Sequence, residues 1–429
     1  MQTNCIAINI DQFIKENLAK VKKMLSQASF LHQYYEYSSY FYSLDSQVLK
    51  NLEFYMPIAS QFTNKMCQRV ASMYLCDKPD EFFIKNIEIY IKNNIPAKKV
   101  SENVLKGEPG KITYYTSDFD EEKIETPVLY STNPEGSLKI AVLEKMNYDF
   151  YILSNYILVF NHTTNTIIIS DSLNRDIYIF QKEKSRILAD TIIIYTNILL
   201  RDILKDGWVF FHGAAISKDD KTFAFLGLSG KGKTTSILKL MISKGYKYVD
   251  NDVVLFRLND GIIQVRWWNR AMCIGKGTLK TIPNIVNKVL PEKLHLADYI
   301  DKTDKYKFYL NQIEVKRFLS ISNDINLQLS AIILPEFNKN NTGKIKKINN
   351  DDAFFKDNKL IECVELLSEK NIYWFNDNRV IPVEIYKKRV LELITCVQKQ
   401  IACYHLHLGI SNSWLDQIDN ILKYERKSL

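Results

Sequence analysis

Apolar positions set the first expectation. In "IDQFIKENLAKVKKML", Ile10, Phe13, Leu18, Val21 and Leu25 recur at helical intervals, with Asp11 near the start as a cap. "SQVLKNLEFYMPIASQF" and "EFFIKNIEIYIKNNIP" repeat that period, the second stopping near Pro96. Residues 11–93 are therefore expected to be mostly helical. The tyrosine-rich "HQYYEYSSYFYS" then reads as a core-facing aromatic stripe, with an exposed recognition surface as the alternative. Between 96 and 137 the period is lost, and Pro109-Gly110 and Pro134-Glu135-Gly136 mark a loop-rich boundary.

From 138 the pattern changes to short β-rich runs, "KIAVLEKM", "FYILSNYILVFN", "TIIISDS" and "DIYIFQ", with a hairpin turn at His162–Asn165. "KSRILADTIIIYTNILLRDILKDG" reads as a buried helix ending at Gly207. A strand "WVFFHGAAIS", a charged turn at 218–221 and a strand "TFAFLG" follow, then a loop and a helix over 233–244 with Gly245 as its C-cap. Next come "YKYV" and "DNDVVLFRL", and Asn259-Asp260-Gly261 predicts a hairpin into "IIQVRWW". "LSAIILPEF" is a buried strand, and the helices "PVEIYKKRVLELITCVQKQIACY" and "SNSWLDQIDNILKYE" close the chain. Three regions result: a helical 1–135 suited to partner recognition, 136–340 with a β-rich layer and an α/β core, and a helical 341–429.

Composition narrows the class. A chain of 429 residues, 46% hydrophobic and 25% charged, suits a globular protein of two or three domains. The net charge of +8 is spread out. The densest basic runs, Lys20-Val21-Lys22-Lys23, Lys344-Ile345-Lys346-Lys347 and Arg426-Lys427, read as solvated faces rather than nucleic-acid sites, and leave open a mild attraction to acidic partners. Seven cysteines include no C-x-x-C pair, which argues against a disulfide framework or a structural zinc and fits a reducing compartment. The N-terminus lacks a signal-peptide layout, and "ADTIIIYTNILL" is too short to span a membrane. A cytoplasmic location is expected.

Candidate chemistry centres on "GLSGKGKT". Gly227 to Thr234 matches G-x-x-x-x-G-K-[ST] in full, in a chain holding only 14 glycines, and lies between a strand and an amphipathic helix. In such a loop the backbone N–H groups of the segment holding Gly227, Ser229, Gly230, Lys231 and Gly232 converge on a phosphate, helped by the helix dipole. Lys233 is then placed for the β- and γ-phosphates and Thr234 for Mg²⁺, with Thr235 assisting. Asp250-Asn251-Asp252 follows one helix and one strand later, where a carboxylate holds a metal or takes a proton from a hydroxyl. His212, on the strand before, is placed beside the loop.

Taken together, "HGAAISKDDKTFAFLGLSGKGKTTSILKLMISKGYKYVDNDVVLF" resembles the HPr kinase/phosphorylase and ATP-dependent phosphoenolpyruvate carboxykinase superfamily. That resemblance implies a nucleotide-binding P-loop on a mixed α+β sheet. His212 would lie near the γ-phosphate or metal, Lys233 and Thr234 would hold phosphate and Mg²⁺, and the acidic pair would fall on Asn251 and Asp252. The first acid is Asn here, with Asp250 one place earlier as a stand-in. The Glu-x-Arg-Gly-x-Gly signature of true HPr kinases is absent, and "QVRWWNRAMCIGKG" stands where it is expected, offering Arg266 and Arg270 as phosphate or substrate contacts. The expected activity is transfer of the γ-phosphoryl of ATP to a hydroxyl, a Ser or Thr of a peptide or protein other than HPr. A nucleotide-binding assembly factor and a small-molecule kinase are the alternatives. Related kinases are often oligomers, so self-association is compatible with this reading.

Overall fold

The computed structural model describes residues 10–26, 29–34, 37–55, 68–77, 98–106, 115–116, 128–132, 138–153, 155–162, 164–171, 173–219, 221–228, 230–268, 272–282, 307–310, 319–322, 327–338, 343–349, 359–364, 383–409 and 412–425, with a few isolated positions. Among these are seven α-helices and two mixed sheets. The chain divides into two compact units: residues 1–129, 133–202 and 367–380, and residues 130–132, 203–366 and 381–429.

In the first unit the helix Ile10–Leu25 forms as expected, but the tyrosine-rich stretch does not continue it. Ser29–Tyr34 and Tyr37–Ser43 are strands instead. The reason is the period: Tyr37, Ser39, Phe41 and Ser43 are buried, an alternation of two that only a strand satisfies, and aromatic side chains favour that geometry. A third strand, Gln68–Cys76, pairs in parallel with both Tyr37–Ser43 and Asp176–Phe180. Tyr42, Tyr74 and Tyr178 thereby stack across three strands at successive centroid distances of 4.8 Å. Among the described residues the N-terminal region is thus mixed rather than helical, and the expected helix "EFFIKNIEIYIKNNIP" lies almost wholly outside them. The stretch expected to be loop-rich carries the strands Lys98–Lys106, Tyr115–Thr116 and Val128–Thr132. The β-rich runs after 138, which the pattern alone groups with the core, pair into this first sheet.

The second unit holds the glycine loop. Its sheet runs Lys221–Leu226, Val209–Lys218, Lys247–Asn259, Ile262–Trp267, Leu327–Phe337, Ala402–Leu408, Lys344–Ile348. Leu327–Phe337 also pairs in parallel with Lys221–Leu226, closing the first five strands into a ring. Asp260 and Gly261 both have positive φ (50° and 79°), the two-residue hairpin that Asn-Asp-Gly predicts. Gly245 ends the helix Lys233–Lys244 in the left-handed region, its N–H on the Met241 carbonyl. The C-terminal region, expected to be helical, contributes the helices Val383–Gln400 and Trp414–Glu425 and also two strands of the sheet. One sheet face packs Phe211, Ile332, Cys403 and Ile348 with Tyr386, Val390, Leu393 and Val397 of Val383–Gln400.

Candidate functional site

Lys221–Leu226 delivers the chain to Gly227, whose N–H lies 3.4 Å from the His212 carbonyl. Gly230 and Gly232 then take positive φ (80° and 96°). At Gly232 close approach adds to conformation, since a Cβ would sit 2.6 Å from Leu408 Cδ1. The helix begins at once, and both the N–H and the hydroxyl of Ser236 bond the Gly232 carbonyl at 2.9 Å. Lys233 opens the helix and is only 6% exposed. Its Nζ turns back and donates to the carbonyls of Gly227 at 2.6 Å and Leu228 at 2.9 Å. The ammonium therefore fills the curve of its own loop.

The acidic triplet lies on Lys247–Asn259, antiparallel to the His212 strand. Thr234 donates its hydroxyl to Asn251 Oδ1 at 2.8 Å. Asp250 is 1% exposed and accepts backbone N–H groups from Asn251 (2.7 Å) and Trp268. It serves as a strut between this strand and the chain leaving Ile262–Trp267. Asp252 is half-buried and takes φ 75°, a conformation that non-glycine residues adopt at a cost. Gly213 stands directly opposite, and a Cβ there would meet Leu226 Cδ2 at 2.5 Å and the Phe225 carbonyl at 3.1 Å. The pairing also shifts between Ala215 and Ile216, leaving Val249 as a bulge. Bulge and left-handed residue together re-aim the side chains of a strand that otherwise alternates.

Lys233, Thr234 and Asn251 are thus brought together, with Asp252 adjacent in sequence. His212 pairs with Val253 and is half-buried. Arg266 stacks on the Trp208 ring at 4.4 Å, with Arg257 on the same ring at 4.7 Å. Ser229 and Arg270 lie outside the described residues.

Several neighbours carry no local sequence signal. Thr235 and Thr278 share a hydroxyl hydrogen bond of 2.6 Å, and Lys231 lies 3.5 Å from Glu336. The Trp414–Glu425 helix and Asn412 just before it brace the loop helix and Tyr246 just after it, through Lys239–Asn412, Lys244–Asp416 and Tyr246–Asp419. Val364 bridges to Phe211, and burial pushes the adjoining Cys363 thiol up to about 11 against the pull of the Lys233 charge.

The donor set at the loop is a Thr hydroxyl, an Asn amide oxygen and, next in sequence, an Asp carboxylate. These are the hard oxygen ligands that Mg²⁺ takes, usually with water and phosphate oxygens. No group of three or more His, Cys, Asp or Glu suited to a metal gathers among the described residues. No helix among them is long and apolar enough to cross a membrane. No family model matches this chain, and no curated protein matches it.

Proposed function

We propose that the second unit binds ATP at the Gly227–Thr234 loop and transfers its γ-phosphoryl group to a hydroxyl, a Ser or Thr of a peptide or protein. The observation that carries this reading is the buried Lys233 ammonium, turned into a glycine loop between a strand and a helix N-terminus and already holding two carbonyl oxygens. Phosphate oxygens replace those carbonyls with a full negative charge. The donor set at Thr234, Asn251 and Asp252 fits Mg²⁺, which when bound neutralises phosphate charge. Lys233 and the loop N–H groups orient the triphosphate, and Thr234, whose hydroxyl donates to Asn251, would be among the residues holding the metal. Asp252 accepts the proton of the acceptor hydroxyl. That oxygen then bonds to the γ-phosphorus while the bond from phosphorus to the bridging oxygen breaks, and ADP leaves.

A second reading, a nucleotide-dependent switch without transfer, is favoured by one observation. Asp250 is committed to two backbone N–H groups and Asn251 carries no charge, so the triplet does not offer two carboxylates to divide between metal and proton transfer. The test uses the full chain with labelled ATP, Mg²⁺ and lysate or synthetic peptide acceptors, beside Lys233→Ala and Asp252→Asn. Wild type should label an acceptor, K233A should lose nucleotide binding, and D252N should bind ATP normally yet lose transfer by roughly 10²-fold or more. Tight ATP binding with no transfer to any acceptor would favour the switch.

A further inference from the structure

The Lys344–Ile348 strand is the last in the order of its sheet, and among the described residues it pairs only with Ala402–Leu408. Its pairing sets Lys344 opposite His407 and Lys346 opposite His405. One strand further in, His407 stands opposite Glu336 and His405 opposite Leu334. Residues directly opposite share a face. The next row on that face, Ile348–Cys403–Ile332, belongs to the buried core. Beyond it the face turns basic: Lys344 and Lys346 are exposed, and the half-buried rings of His405 and His407 lie 6.1 Å apart, 23° from parallel. Neither lysine has an ion pair among the described residues. Lys347 points to the other face, over the Tyr404 ring.

This face also reaches the glycine loop, because Glu336 at the inner end of the top row contacts Lys231. With neighbouring strands about 4.8 Å apart, the open edge lies only about 10 Å from the Glu336 strand. Lysines on an edge deter pairing with cationic strands or with a second copy of the same edge. The same charges select an acidic strand. Lys344 and Lys346 are two residues apart, about 7 Å along the strand, which is the spacing of alternate side chains on any extended segment.

We propose that the Lys344–Ile348 edge is a docking site for an extended acidic segment of a partner protein, added as a further strand with its carboxylates over Lys344 and Lys346. Main-chain hydrogen bonds to this edge, which no described strand occupies, supply the pairing, and the alternating carboxylates supply the selection. A segment held there brings its neighbouring residues to the loop side of the sheet. The proposal stands on the edge and its charges alone, whether or not transfer occurs at the loop.

Fluorescence anisotropy on the full chain tests it with a labelled octapeptide of alternating Glu and Val. Controls are the Lys-Val counterpart and a Glu-Val peptide N-methylated at alternate residues, which keeps the charge and removes donors. The acidic peptide should bind. Lys344→Glu with Lys346→Glu should weaken it at least about tenfold, and so should N-methylation. Both lysines are exposed, so the double variant keeps its fold. No binding of the acidic peptide would overturn the proposal, as would binding indifferent to the double variant. Equal binding of the N-methylated peptide would reduce the site to a diffuse charge effect. A sulfated oligosaccharide binding as tightly through the same lysines would make it a polyanion site and equally end the proposal.

Discussion

At the scale of single residues, Asp252 separates stability from chemistry. Its φ of 75° is tolerated by Gly, and by Asn and Asp better than by other side chains. Asp252→Gly should therefore raise the unfolding free energy of the second unit by about 0.5–1 kcal/mol, whereas Asp252→Ala should lower it by about 1 kcal/mol. Urea titration of the two variants beside Asp252→Asn checks the order Gly, Asn, Ala. The glycine variant should at the same time be inactive in transfer. A glycine variant less stable than wild type would mean that the carboxylate itself holds the strand. Asp250, two residues away, has the opposite character, since its oxygens accept the backbone N–H groups of Asn251 and Trp268.

At the scale of elements, the helix Lys184–Lys205 is fixed to the hairpin turn at Asn161–Thr166 by a buried carboxylate. Asp190 accepts from Asn161 at 3.2 Å, Thr164 at 3.0 Å and Thr166, and Arg186 from the same helix reaches the Thr164 carbonyl. Burial pushes its carboxyl up to about 6, and the three hydrogen bonds only partly offset that. A raised folded pKa means stability that is fully present below the unfolded value near 3.8 and lost as pH rises through about 6. The first unit should thus lose on the order of 2–3 kcal/mol between pH 4 and pH 7 through this group, by the free energy of about two pKa steps. Asp190→Asn should flatten that slope in denaturation profiles across the range, and an unchanged slope would place the ionisation elsewhere. Nothing near Asp190 in sequence marks it. The strand, loop and helix around Gly227–Thr234, by contrast, were legible because strand, glycines, lysine and helix are consecutive. The hairpin at Asp260-Gly261 and the cap at Gly245 were legible for the same reason. The strands of the first unit were not, because residue types in Tyr37-Ser-Ser-Tyr-Phe-Tyr-Ser43 do not alternate, and the period of two shows only in which positions are buried once Gln68–Cys76 pairs alongside. The brace from Tyr246 to Asp419 spans most of the second unit, and no local pattern announces it.

At the scale of the whole molecule, four described thiols share one environment. Cys76, Cys363, Cys396 and Cys403 are buried outside any disulfide, one in the first unit and three in the second. Burial raises the Cys403 thiol to about 12 and the Cys396 thiol also, so little thiolate exists at neutral pH. Brief alkylation of the native chain followed by peptide mapping should leave these four unlabelled, with full labelling in denaturant. Labelling of Cys363 in the native chain would show that the segment covering Phe211 opens. The five-strand ring adds a consequence for how the chain is made. Lys221 finds its parallel partner Gln328 about a hundred residues further on, and the Ala402–Leu408 strand that covers Leu327–Phe337 comes later still. The nascent chain must therefore carry the glycine loop on a strand with one side open until residues 327–337 have been made, and the far side of that partner stays bare until residues 402–408 follow. A product cut short before residue 402 would keep the whole loop motif and still present a bare, apolar parallel edge, so premature termination here yields an aggregation-prone species rather than a smaller working unit.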